Sequence, residues 1–376
     1  MESTLDQDTR AIGSMVSIGT HRLFFSVSGV RATPEDPIVI FIVGCGDVAS
    51  SYRAVERLVS AFARVLLYDR SGLGRSEDGP HRPTAIMAAT ELHQLLESAS
   101  IAPPLLLVGH SYGGIIAREY LHLYPDEVAG MVLSDASTER QSDYFKIPDI
   151  NINAVMGSLN FAQVTGLRED AKLSRGEWRA RAADIARGRT TWEAEAAAYV
   201  EICKALGEKE QYQKRAMSEK PLSVIRCNSA RDYQRVYEKG VEAGNGTEEQ
   251  REAFRQLLNR WDETDREMKE EQLQLSSRSR LMYVPECGHH VHLVRPDVVA
   301  EEIQWVRDQT LDQRRELMEK LWHAFSVLTP RQVAVTFPAS SEFEIICIVN
   351  SSYILNSSVW LAKLHLQIEE KGEAGF

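Results

Sequence analysis

The sequence predicts an α/β protein built on a mostly parallel central sheet with flanking helices, and three observations predict it. Continuous apolar runs at residues 37–43 (PIVIFIV), 105–108 (LLLV) and 128–133 (VAGMVL) are what strands buried on both faces require. Helical patterns separate these runs, so the chain reads as successive βαβ units. At one strand-to-helix corner stands a Gly-x-Ser-x-Gly string, Gly109-His110-Ser111-Tyr112-Gly113.

Taken in order, residues 1–14 form a polar lead-in. The β-rich stretch 21–28 pairs with 15–18 around Gly19-Thr20 as a hairpin at an antiparallel edge. Residues 37–43 give the first buried strand, ending in Gly44-Cys45-Gly46. A helix over about 51–62 leads to the next strand at 64–69. The Gly-rich loop 70–76 (RSGLGRS) lacks a following Lys-Ser/Thr and a helix directly behind it, so it reads as a structural loop and not as a phosphate cradle. An amphipathic helix over 83–98 and Pro103-Pro104 deliver the chain into the Ser111 strand. The helix behind Ser111 stops at Tyr124-Pro125, and 128–135 is a further strand with Asp135 at its carboxyl end, where open α/β sheets bind ligands. From 136 to 220 the alternation lapses into charged helical sequence, an insertion read as a lid, most of its aromatics Trp178, Trp192, Tyr199 and Tyr212 packing a small core of their own. A strand at 221–227, two charged helices within 228–274 broken at Gly244-Asn245-Gly246, and a last strand at 280–285 follow. Glu286 to His292 is the loop leaving that strand, and Pro296 opens a long helix that runs to about 328. The expected organisation is thus a core of 1–135 and 221–328, a helical insertion at 136–220, and a C-terminal extension at 329–376 without an assigned role.

Composition narrows the function classes. The chain has 376 residues and a formal net charge of −11, so an acidic surface would be repelled by nucleic-acid phosphates and by anionic membranes. Cys45, Cys203, Cys227, Cys287 and Cys347 are scattered without a C-x-x-C pair, which suggests neither a disulfide framework nor a zinc site. The first residues carry no apolar signal run, and no stretch approaches the roughly 18 apolar residues of a membrane span. The expectation is a cytoplasmic protein acting on a small molecule, needing no metal or organic cofactor, with neither nucleic-acid nor membrane partner.

The chemistry gathers around Ser111. A sharp turn lifts its hydroxyl clear of the sheet, and small residues at 109 and 113 let the neighbouring backbone pass. A serine hydroxyl is a weak nucleophile unless a base takes its proton and a third group holds that base. His289 is the candidate base, on a glycine-containing loop after the last strand. His290 is one residue out of register, and His292 reads as a packing or capping residue. Two carboxylates remain open as the acid: Asp135, ending the strand after the Ser111 helix, and Asp232, reached from the 221–227 strand through a loop at 228–231. Asp135 is preferred, with capping of the following turn as its bland role. Two backbone N–H groups must meet the developing oxyanion. Tyr112, at the start of a helix, and Cys45, after the first buried strand, are the candidates; nothing near the Cys45 thiol in sequence marks it as a nucleophile.

These stretches resemble the α/β-hydrolase fold superfamily, in its serine esterase, lipase and peptidase-like branch: VGCG (43–46), YDRSGLGRS (68–76), LLLVGHSYGG (105–114), YPDEVAGMVLSDAS (124–137), PLSVIR (221–226) and ECGHHVHLVRPDVV (286–299). The resemblance implies Ser111 as nucleophile, His289 as base, Cys45 and Tyr112 as oxyanion donors, and an acid after either of the two strands. The chain departs from the pattern in having Val43-Gly44 where many members have His-Gly, in lacking the short Gly-x-x-Asp spacing before Asp232, and in its tail beyond about 330. Members with an aspartate nucleophile include haloalkane dehalogenases and epoxide hydrolases, and Ser111 speaks against both. The expectation is hydrolysis of a small or medium apolar ester or lactone through an acyl-enzyme. Acyl transfer by the same residues, or a non-catalytic ligand-binding protein of this fold, are the alternatives.

Overall fold

The apolar runs become the strands of one eight-stranded sheet in the order β1-β2-β4-β3-β5-β6-β7-β8. The structure, a computed structural model, describes residues 12–327 and two strands at 333–337 and 345–349. β1 (Ile12–Ser17) and β2 (Arg22–Ser28) form the expected hairpin, and β2 runs antiparallel to β4 (Val65–Tyr68). From β4 onward all neighbours are parallel: β3 (Ile38–Ile42), β5 (Leu105–His110), β6 (Val128–Ser134), β7 (Leu222–Cys227) and β8 (Ser279–Val284). Every residue of β3, β4, β5 and β7 is buried, which is why these strands read as unbroken apolar runs and not as alternations. β8, at the sheet edge, is mostly half-buried.

Helices cover both faces, as the period-two geometry of β3 shows directly. Ile38, Ile40 and Ile42 face a core shared with α2 (Ala85–Ser98) and α3 (Tyr112–Leu123); Val39, Phe41 and Val43 face a second core with α1 (Arg53–Val59) and Val298, Val299, Ile303 and Val306. The order of β3 and its neighbours makes the carboxyl ends of β3 and β5 the topological switch point, because the chain moves to one side of β3 for β4 and to the other for β5.

Between β6 and β7 the chain is helical: α4 (Gln141–Tyr144), α5 (Ile150–Met156), α6 (Phe161–Val164), α7 (Leu167–Asp170), α8 (Arg175–Arg187) and α9 (Arg189–Gly207). Its aromatics do not all pack among themselves. Tyr199 and Tyr212 join the core on the α3 side of the sheet, because α9 lies against α3. Two more helices follow β7, α10 (Ser229–Glu242) and α11 (Glu248–Gln272). Residues 228–231, read from the sequence as a loop, are the N-cap and first turn of α10: the Asn228 side chain accepts the Arg231 N–H at 3.2 Å. The left-handed Gly244 (φ +77°) turns the chain between them, and a capping box of Thr247 and Gln250 starts α11.

α12 (Val291–Val294) and α13 (Pro296–Val327) close the described helices. The chain divides into two compact units, Met1–Leu311 and Asp312–Phe376, so the division precedes the extension expected from 329. The second unit holds the end of α13 and an antiparallel pair, β9 (Val333–Phe337) and β10 (Ile345–Val349). Among the described residues no helix is long and apolar enough to cross a membrane.

Candidate active site

Ser111 leaves β5 in a conformation that side chains rarely adopt, φ +52° and ψ −124°, and α3 begins at the next residue. The strain persists because the surroundings over-determine it. A Cβ on Gly113 would lie 1.9 Å from the Ile42 carbonyl oxygen, and one on Gly109 would lie 2.7 Å from the Gly113 oxygen. Both positions demand glycine, the steric reason given by the sequence for the corner.

His289 stands on the loop after β8, and its Nδ1 lies 2.6 Å from Asp135 Oδ2. A carboxylate only accepts, so Nδ1 carries the proton, and in the neutral ring Nε2 keeps its lone pair. Asp135, itself at φ +44°, is 2% exposed and held from several sides. The Cys227 N–H donates to its Oδ1 at 3.2 Å, the Ser229 hydroxyl to its Oδ2 at 3.0 Å, and the Lys269 ammonium lies 3.6 Å from Oδ1. Burial alone would raise this carboxyl; the Lys269 charge, then the His289 hydrogen bond and charge and the Cys227 N–H, outweigh it and hold the group well below the usual carboxylate range. Asp232, the other candidate acid, makes no hydrogen bond to the His289 ring. It sits in the first turn of α10 with its carboxylate packed against the Gly288 backbone, and burial pushes its carboxyl up. The helical start of α10, unforeseen in the sequence, is what turns it away.

The candidate oxyanion donors flank Ser111. Tyr112 is the first residue of α3, where the backbone N–H has no intrahelical partner. Gly44 packs on Ser111, a Cβ there falling 3.5 Å from the Ser111 Cβ, which brings the Cys45 loop to the elbow. Among the described residues neither the Tyr112 nor the Cys45 N–H meets an acceptor. The Cys45 thiol is pushed far up by burial and then by the Glu195 charge, so it stays protonated.

Ser111, Asp135 and His289 line one cavity of about 130 Å³. Its apolar wall comes from Phe145, Ile147 and Ile152 in the insertion and from Tyr233, Leu257 and Trp261 of α10 and α11. Trp261 packs on Phe145 and stacks on Tyr233 with ring centroids 4.6 and 4.5 Å apart. Sequence reasoning placed α10 and α11 in the core and missed their part in the cavity. It also missed Lys269, buried between Asp135 and Asp265 with its Nζ donating to Ala136 O at 2.7 Å. The available signal was a face of α11 (Phe254, Leu257, Trp261, Thr264, Met268) that continues into the polar Asp265, Lys269 and Gln272.

Behind His289 lie Asp47, His110 and His292, all buried, whose ligating atoms are close enough together for a metal ion. The donors do not fit one. His110 Nε2 donates to the His289 carbonyl at 2.9 Å and its Nδ1 accepts from the Tyr52 hydroxyl at 2.9 Å, so neither ring nitrogen is left to coordinate. Burial, and then the His289 charge, lower His110 to about 4, which keeps it neutral.

The profile of the Alpha/beta hydrolase family matches residues 39–302. A protein named AB hydrolase superfamily protein, from Gibberella zeae, is 32% identical over 296 residues, which cover 75% of this chain and 90% of that protein. Another, named Probable transporter efuK, from Hormonema carpetanum, is 32% identical over 303 residues, 78% of this chain; the chain spans only 42% of that protein's length. Among solved structures, a serine hydrolase involved in carbazole degradation (CarC enzyme) has a TM-score of 0.53 at 14% identity, covering 80% of this chain and 100% of that one, a likeness of fold.

Proposed function

The chain belongs to the α/β-hydrolase family, and from that premise we propose that it is a serine hydrolase of small or medium apolar esters or lactones. The supporting observation is the 2.6 Å contact from His289 Nδ1 to a buried, ionised Asp135 in the cavity that also holds Ser111. In this reading His289 Nε2 takes the Ser111 proton as Oγ attacks the carbonyl carbon. The Cys45 and Tyr112 N–H groups stabilise the oxyanion, and the same nitrogen returns the proton to the leaving alcohol. Water, activated by His289, then cleaves the acyl-enzyme. Asp135 fixes the imidazole tautomer and stabilises the imidazolium.

The insertion and α10–α11 act as the lid that sets acyl size. A cavity of about 130 Å³ is close to one that holds a benzene ring. Acetyl, butyryl and benzoyl esters are therefore the expected substrates, with lauroyl and longer esters turned over poorly. Intact-mass analysis after a fluorophosphonate probe tests the reading: one adduct on Ser111, absent from Ser111→Ala, together with ester turnover, is expected. A folded wild-type chain that neither takes the label nor turns over any ester would sink it.

A further inference from the structure

The loop 70–76 and the insertion meet at the candidate oxyanion loop. The Arg70 guanidinium donates to the Val43 carbonyl at 2.6 Å and to the Gly44 carbonyl at 2.7 Å, while gripping Glu195 of α9 at 2.9 and 3.0 Å. Glu195 Oε2 in turn accepts the Gly46 N–H at 2.8 Å. Cys45 thus lies between two residues whose backbone polar groups are tied to one ion pair. The pair is almost sealed from water, Arg70 at 3% and Glu195 at 2% exposure. α9 docks over both loops at places where only glycine leaves room: a Cβ on Gly46 would fall 2.5 Å from Trp192, and one on Gly72 would fall 2.1 Å from the Thr191 hydroxyl.

A buried ion pair is a poor source of stability, since an apolar pair of similar volume often does as well or better. What an apolar pair lacks is directional hydrogen bonding to the backbone. We propose that Arg70 and Glu195 are positioning residues that hold the 43–46 loop where the Cys45 N–H meets the oxyanion, making α9 a structural part of the catalytic apparatus. This rests on the serine hydrolase reading. Neither side chain touches substrate; both act through Cys45.

The test compares wild type, Glu195→Gln and the double variant Arg70→Met/Glu195→Leu, with Glu201→Gln on the same helix as a control, its side chain being exposed and paired with Arg82. Readouts are kcat and KM on a p-nitrophenyl butyrate assay, active-site titration, inhibition by phenylboronic acid as a tetrahedral mimic, and thermal midpoint. The double variant is expected to melt below wild type, because the Val43 carbonyl and the Gly46 N–H lose buried partners, yet to keep KM and lose kcat per titrated site by roughly 10²–10³-fold, the cost of one oxyanion donor, with boronate affinity falling alongside. Glu195→Gln keeps an acceptor for Gly46 and is expected to fall between the two. A titratable double variant with wild-type kcat per site would overturn the proposal. If the double variant does not fold, Glu195→Gln decides alone: reduced kcat at unchanged KM supports it, wild-type kcat overturns it. Inactive wild type would instead remove the serine hydrolase reading, and this one with it.

Discussion

At the scale of single residues, what surrounds each carboxylate separates the two candidate acids. Asp135 accepts from His289, Cys227 and Ser229 and faces a buried lysine, whereas Asp232 packs on backbone. Asp135→Asn is expected to lower kcat by about 10⁴-fold, the size of effect when a buried acid no longer holds the right imidazole tautomer. Asp232→Asn is expected to leave kcat near wild type, and steady-state kinetics on both variants checks the ranking. Lys269→Met leaves Asp135 and Asp265 buried without their shared cation, and a loss of about 3–5 kcal/mol in denaturant unfolding is expected. As candidates, Ser111 and His289 were legible in the sequence because each sits beside its own strand with a local signature. The choice between Asp135 and Asp232 was not, because it turns on whether residues 228–231 are loop or helix. Lys269 was still further out of reach: its partner Asp135 is on another element, and a lysine on a charged helix reads as solvated.

At the scale of elements, periodicity carried most of the fold. Strands buried on both faces read as apolar runs, and β5 with α3 read as an elbow, because the glycines at 109 and 113 mark it locally, although the atom that demands glycine at 113 lies on β3. Gly113→Ala drives a methyl carbon into the Ile42 carbonyl at 1.9 Å, and a loss above about 3 kcal/mol is expected from such overpacking in a calorimetric or urea titration. What periodicity does not convey is docking. α10 and α11 are as charged as any surface pair, yet Tyr233, Leu257 and Trp261 wall the cavity, and α9 settles on two glycine-bearing loops. The spacing of a helix shows that one face is buried, as Leu257 and Trp261 on α11 do, but what that face covers depends on where the helix lands.

At the scale of the whole molecule, the buried imidazoles couple folding to acidity. Burial and the His289 charge hold His110 at about 4, and burial followed by the His110 charge holds His292 well below 6.5. In the unfolded chain both titrate near ~6.5, so between that value and about 4 the unfolded state binds more protons. Stability rises with pH across this window and is lost as pH falls, by about 1.4 kcal/mol per pH unit for each histidine. The thermal midpoint is expected to hold above pH 7 and drop steeply from 6.5 toward 5, with a shallower slope in His292→Phe, whose ring keeps the stack on Tyr52. A midpoint flat to pH 5 contradicts this.

The Arg70–Glu195 bond also bears on how such proteins diversify. Its two ends come from stretches 125 residues apart, one in the core and one in the segment between β6 and β7. A recombination that exchanged only that segment for a relative's would transplant a new pocket wall but strand Arg70 in the core without its counter-ion. Inheritance of new substrate preference by segment swapping is therefore constrained to donors that carry an acid at the position of Glu195, or to events that move both ends together.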